Sequence, residues 1–93
     1  MKKVAWIDGT SYGKGERGVI QPRVLKTKIE NVSITVHKHI DYGNTWLLTC
    51  RDLNIEKEIL QTENFEKAQE KAFSIIVNKI ENLIKIRDFL LNE

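Results

Sequence analysis

Two histidines separated by one residue, a lone cysteine and a glycine-rich basic segment are the parts of this 93-residue chain whose types and spacing could do chemistry. His37-Lys38-His39 puts both imidazoles on one face of an extended chain, a spacing that suits a divalent metal. Zinc takes about four ligands, or three and a water, and only Asp41 and Cys50 lie close enough in sequence to extend the set. Two solvent-facing strand histidines are therefore expected, with no metal and no cofactor, although a two-fold axis could still bring histidine pairs together. Cys50 would act as a nucleophile only if exposed beside a histidine base. Its neighbours Leu48 and Thr49 instead suggest a buried thiol. Gly13-Lys14-Gly15-Glu16-Arg17-Gly18 matches G-x-G-x-x-G, but a dinucleotide site needs a helix opening at the last glycine to hold the pyrophosphate. Val19-Ile20-Gln21-Pro22 follows instead, which reads as extended chain. The expectation is a glycine loop that touches phosphates, if at all, through Lys14 and Arg17.

With the catalytic readings set aside, the candidate residues are surface contacts for a partner protein or nucleic acid: Lys14, Arg17, Arg23, His37, His39 and Arg51. Charge is distributed unevenly around them. Residues 1 to 28 carry seven basic against two acidic side chains, whereas residues 52 to 93 carry six against nine. A basic first third on a slightly acidic body points weakly to an anionic partner. The composition, 41% apolar and 30% charged, is that of one ordinary globular domain and excludes intrinsic disorder. One cysteine excludes an intrachain disulfide and fits a reducing compartment. Val4-Ala5-Trp6-Ile7 reaches Asp8 too soon for a secretory core, and no apolar run is long enough to span a bilayer. A cytoplasmic protein with no membrane contact is expected.

The elements that must position these residues are read from glycine placement and periodicity. Gly9, Gly13, Gly15, Gly18 and Pro22 crowd the first quarter, and neither residue type recurs after Gly43. Residues 1–23 are thus expected to form a flexible basic segment, with a short strand possible at Val4 to Asp8. Val24 to Glu30 alternates as a strand. Ser33 to Ile40 and Thr45 to Arg51 flank the turn-rich Asp41-Tyr42-Gly43-Asn44 and read as a hairpin. Pairing Ile40 with Trp46 puts Ile34, Val36, Ile40, Trp46, Leu48 and Cys50 on one face with only Lys38 intruding. A one-residue slip would send half of that set to solvent. The other face then shows Thr35, His37, His39, Leu47, Thr49 and Arg51. Ile55 to Gln61 supplies a further strand after Asp52-Leu53-Asn54, and Thr62 and Asn64 are candidate N-caps for a helix over 64–91.

That helix carries two apolar stripes. One runs through Phe65, Ala68, Ala72, Ile75, Leu83, Ile86 and Leu90, and the other through Phe73, Ile76, Val77, Ile80, Ile84 and Leu91. Together they cover about 200°, where a surface helix normally shows a little over 100°. At about 40 Å the helix also outruns strands of about 25 Å. Its far end needs cover, and the same helix from a second copy is the simplest source. Ile80, Leu83, Ile84 and Leu91 are the expected contacts of a homodimer.

The run Ile34-Thr35-Val36-His37-Lys38-His39-Ile40, with Trp46-Leu47-Leu48-Thr49-Cys50, Leu53-Asn54-Ile55 and Phe65-Glu66-Lys67-Ala68 with Ala72, resembles small uncharacterised proteins encoded by phages and prophages. The likeness covers residues 33 to 80. It implies a mobile-element accessory protein, a class that includes inhibitors of host defence nucleases such as anti-CRISPR proteins, and it supplies no catalytic residues. The fold expected is α+β, an antiparallel sheet of three or four strands packed on one long C-terminal helix. The function expected is that of a non-enzymatic protein-binding inhibitor or regulator. A nucleic-acid-binding module, using the basic N-terminal arm and the exposed sheet face, is the alternative.

Overall fold

The computed structural model of the chain describes residues 4–12 and 22–92. Five antiparallel strands form a simple meander: β1 (Ile7–Asp8), β2 (Val24–Ile29), β3 (Val32–His37), β4 (Leu47–Cys50) and β5 (Ile55–Ile59). One helix, α1 (Phe65–Leu91), follows. The α+β expectation holds, with five strands in place of three or four. The added strand is the two-residue β1, in which Ile7 pairs with Lys26 and Asp8 with Leu25.

β2 and β3 are joined by the tightest turn available. Ile29 pairs with Val32, and both intervening residues, Glu30 and Asn31, have positive φ (48° and 68°). This is the geometry of a two-residue hairpin turn whose twist matches its strands. The β3–β4 hairpin differs from the expected one in length. Val36 pairs with Leu48 and His37 with Leu47, which displaces the strands by two residues from an Ile40–Trp46 pairing. Because side chains alternate with a period of two, an even displacement keeps every strand residue on its expected face. The loop lengthens, a 3₁₀ turn forms at Ile40–Tyr42, and Ile40 leaves the core to stand 92% exposed.

The core lies between one sheet face and the first half of α1. Ile34, Val36, Leu48, Cys50 and Ile55 meet Ala68, Ala72 and Ile76, with Trp46 and Leu60 closing the end. Ala68 and Ala72 are fully buried, and their small side chains let the helix approach the sheet closely. Trp46 is fixed by its indole N–H, which donates to the Glu63 carbonyl at 2.9 Å. The intruding Lys38 lies with its ammonium 4.7 Å from the centre of that ring, a cation–π contact. Of the two candidate caps, Asn64 is the N-cap of α1, and Thr62 stands outside the helix and bonds the cap residue instead. The Asn64 side chain accepts from the Lys67 N–H at 3.0 Å, and the Thr62 hydroxyl accepts from the Asn64 N–H at 3.2 Å.

Residues 4–12, expected to belong to a flexible arm, are anchored. Trp6 stacks on Phe73 and meets Phe65 edge-on, with ring centroids 5.9 and 5.4 Å apart, and its indole N–H donates to Gln69. The Gly9 N–H donates to the Val24 carbonyl, and the Thr10 hydroxyl accepts from the N–H groups of Arg23 and Val24. Apolar burial and backbone pairing outweigh the local glycine here.

Candidate functional site: the open sheet face

Among the described residues a single helix covers one side of the sheet, and the side chains of alternate register face away from it. On β3 these are Ser33, Thr35 and His37, on β2 Val24, Lys26 and Lys28, and on β4 Leu47 and Thr49. Lys26, Thr35, His37 and Thr49 line a shallow groove of about 610 Å³. Arg51 and Asp52 enter it from the 3₁₀ turn Arg51–Leu53 that follows β4, and Glu56 and Lys57 from β5. Lys57 has a positive φ of 49°, and its backbone N–H donates to the Thr49 hydroxyl at 3.1 Å, near the register irregularity between β4 and β5. No feature of the sequence marks that irregularity, so Lys57 escapes a reading from pattern alone.

His37 is held within the groove by a side-chain hydrogen bond. Its Nε2 lies 2.8 Å from the Thr49 hydroxyl, with the donor set by the tautomer. Burial pushes the imidazole below its usual value near 6.5, and the charges of His39 and Lys57 push the same way. A neutral His37 follows at neutral pH. Leu47, on the same face, is fully buried, whereas the sequence pattern places it on the exposed face.

His39 does not join His37. It caps the turn at Ile40–Tyr42, where its Nδ1 accepts from the Asp41 N–H at 3.2 Å and its ring meets Tyr42 edge-on at 5.7 Å. With Arg23 it lines a second groove of about 640 Å³ beside Thr10, Ser11 and Gly43. The Arg23 guanidinium donates to the Ser11 carbonyl at 2.9 Å and lies 5.8 Å from the Tyr12 ring centre. Asp8 organises that corner by accepting from the Thr10 N–H at 2.9 Å and the Tyr12 hydroxyl at 2.6 Å. Bonding to Thr10, then to Tyr12, holds its carboxyl below the usual range, and the same bond raises the Tyr12 phenol.

The six expected contact residues thus divide. His37 and Arg51 share one groove, Arg23 and His39 share the next, and Lys14 and Arg17 lie outside the described residues, as does the Gly13–Gly18 motif. Cys50 is fully buried on the helix side of the sheet, where burial pushes its thiol up, opposite to what a nucleophile needs. Among the described residues, no three His, Cys, Asp or Glu side chains are grouped to hold a metal. Also among these residues, no helix is long and apolar enough to cross a membrane. Ile80, Leu83, Ile84 and Leu91 all lie on the exposed second half of α1. Compared with protein-family models, curated proteins and solved structures, the chain matches none.

Proposed function

We propose that the chain is a non-enzymatic protein-binding module, an inhibitor or regulator that occludes a larger protein with its open sheet face and the loops beside it. The observation that carries this reading is the charge of the groove. Lys26, Arg51 and Lys57 stand among Asp52 and Glu56, with Thr35 and Thr49 between them. A nucleic-acid site gathers one sign of charge against the phosphates. Interspersed signs match a protein surface, where complementary charges set register and exclude wrong partners. The resemblance to phage accessory proteins supplies the target class, a nuclease of host defence.

The test is capture of a partner from a bacterial host with the full-length chain, followed by titration of the purified partner's activity. Stoichiometric inhibition, weakened at least tenfold by Arg51→Glu with Lys57→Glu, is the expected result. A salt-dependent mobility shift with DNA or RNA, with no protein captured, would transfer the face to the nucleic-acid alternative. Because Trp6 and β1 belong to the fold, deleting residues 1–23 would unsettle the domain. Point substitutions at Arg23 and Lys26 are the cleaner probe of that alternative.

A further inference from the structure

The second half of α1 carries an apolar seam that leads into an apolar groove. Val77, Ile80, Ile84 and Leu91 follow one another around the helix at 100° per residue, with Ile76, Leu83 and Leu90 flanking them on one side. Among these, Val77, Ile80, Leu83, Ile84, Leu90 and Leu91 are between 40 and 74% exposed. At the near end the seam opens into a groove of about 440 Å³, walled by Val4, Ile29 and Ile34 from the sheet side and by Phe73, Ile76 and Val77 from the helix. We infer that a second copy of the chain covers this seam. The two helices run antiparallel, with Leu91 of each copy seated beside Phe73 in the other's groove.

The register follows from the spacing. Antiparallel helices that set Leu91 against the partner's Phe73 also set Ile84 against the partner's Ile80, with the two-fold axis beside Asn82 and Leu83. On one flank Leu83 then meets the partner's Leu83, and Ile76 meets the partner's Leu90. Arg87 is the one charge inside the seam, and in the single chain its guanidinium donates to Asp88 of the same helix at 2.8 and 3.1 Å. It falls about 6 Å along the axis from the partner's Glu81, within reach of an arginine side chain. The exposed parts of the six seam residues sum to roughly 600 Å², taking about 200 Å² for a fully exposed large apolar side chain. With the groove walls, which include Ile29 at 43% exposure, this approaches the ~800 Å² that each partner gives a standard interface. It also exceeds what a monomer ordinarily leaves open as one patch. The assembly is independent of what the open sheet face recognises, since the seam and the His37 groove share no residue.

Sedimentation equilibrium of the full chain over 1–100 µM is the first measurement. A mass of twice 10.8 kDa is expected, with self-association weakened at least tenfold by Ile80→Asp or Ile84→Asp. Neither side chain is in the core, so the circular dichroism of these variants should match the parent at low concentration. Cysteine placement reads the direction. Leu83→Cys should form an interchain disulfide on mild oxidation, and Leu91→Cys should not, because only positions near the axis meet their own copies. A monomer at 100 µM would overturn the inference, as would a dimer indifferent to Ile80→Asp. Self-cross-linking of Leu91→Cys would overturn the antiparallel arrangement. A monomer that co-sediments with lipid vesicles through α1 would give the seam to a membrane surface instead.

Discussion

The two halves of α1 both carry apolar side chains at helical spacing and are opposite in situation. Up to Ile76 the helix buries Ala68, Ala72 and Ile76 against the sheet, while every described residue from Ile80 onward is exposed. Phe89, Leu90 and Leu91 are more apolar than the alanines and yet lie in solvent. The contrast shows that periodicity marks a face that wants cover, whereas cover depends on the reach of the sheet. The strands are four to six residues long apart from β1, and the molecule extends 61 Å along its longest axis against 25 and 22 Å across.

The largest expected effect contrasts a core residue with one from the overhang. Leu48→Ala should cost about 2–5 kcal/mol in a denaturant melt, the range for emptying a packed leucine site. Leu91→Ala, measured below 1 µM, should stay within about 0.5 kcal/mol, as surface changes do. Equal losses would erase the distinction between the two halves. Next in size is Trp6→Ala, at about 2 kcal/mol for a partly buried indole. It should speed amide exchange at Ile7 and Asp8 and leave residues 80–91 unchanged. Protection at β1 that survived the substitution would mean that backbone pairing alone holds the N-terminal segment. Asn64→Ala should cost about 1 kcal/mol by removing the cap, with exchange rising in the first turn of α1 and nowhere in its second half.

The smallest effect concerns pH. The folded His37 value is depressed below the unfolded one, so the unfolded chain binds more protons in the interval between them. The stability tied to neutral His37 is then fully present above about pH 6.5. It is lost progressively as pH falls through the depressed folded value. His37→Gln should flatten that part of the stability profile. A slope that persisted unchanged would place its origin elsewhere.

Much of the architecture can be read from side-chain alternation. The faces of β2, β3 and β4 follow from residues such as Leu25, Val36 and Leu48 needing burial together, and of the two N-cap candidates of α1 Asn64 makes the capping bond. Local pattern fails where the deciding contact is distant. Ile40 reads as a core residue, but a 3₁₀ turn capped by His39 takes the backbone out of the sheet. Glycine content suggests a loose N-terminus, but Phe65, Gln69 and Phe73 receive Trp6 from more than fifty positions away. The candidate site was half visible. His37 and Arg51 stand out by type and position, whereas Lys57 reaches the groove through an irregularity with no sequence signature, and Leu47 is buried on the face that alternation assigns to solvent.

The sequence by itself determined the alternating faces of the strands, the start of the helix and the excess apolar arc along it, because these depend on periodicity and capping within a few residues. Tertiary structure decided the hairpin register, the division of the two histidines between separate grooves and the point along α1 where cover ends. Each of these depends on how far one element extends against another, a length comparison that no local stretch of chain contains.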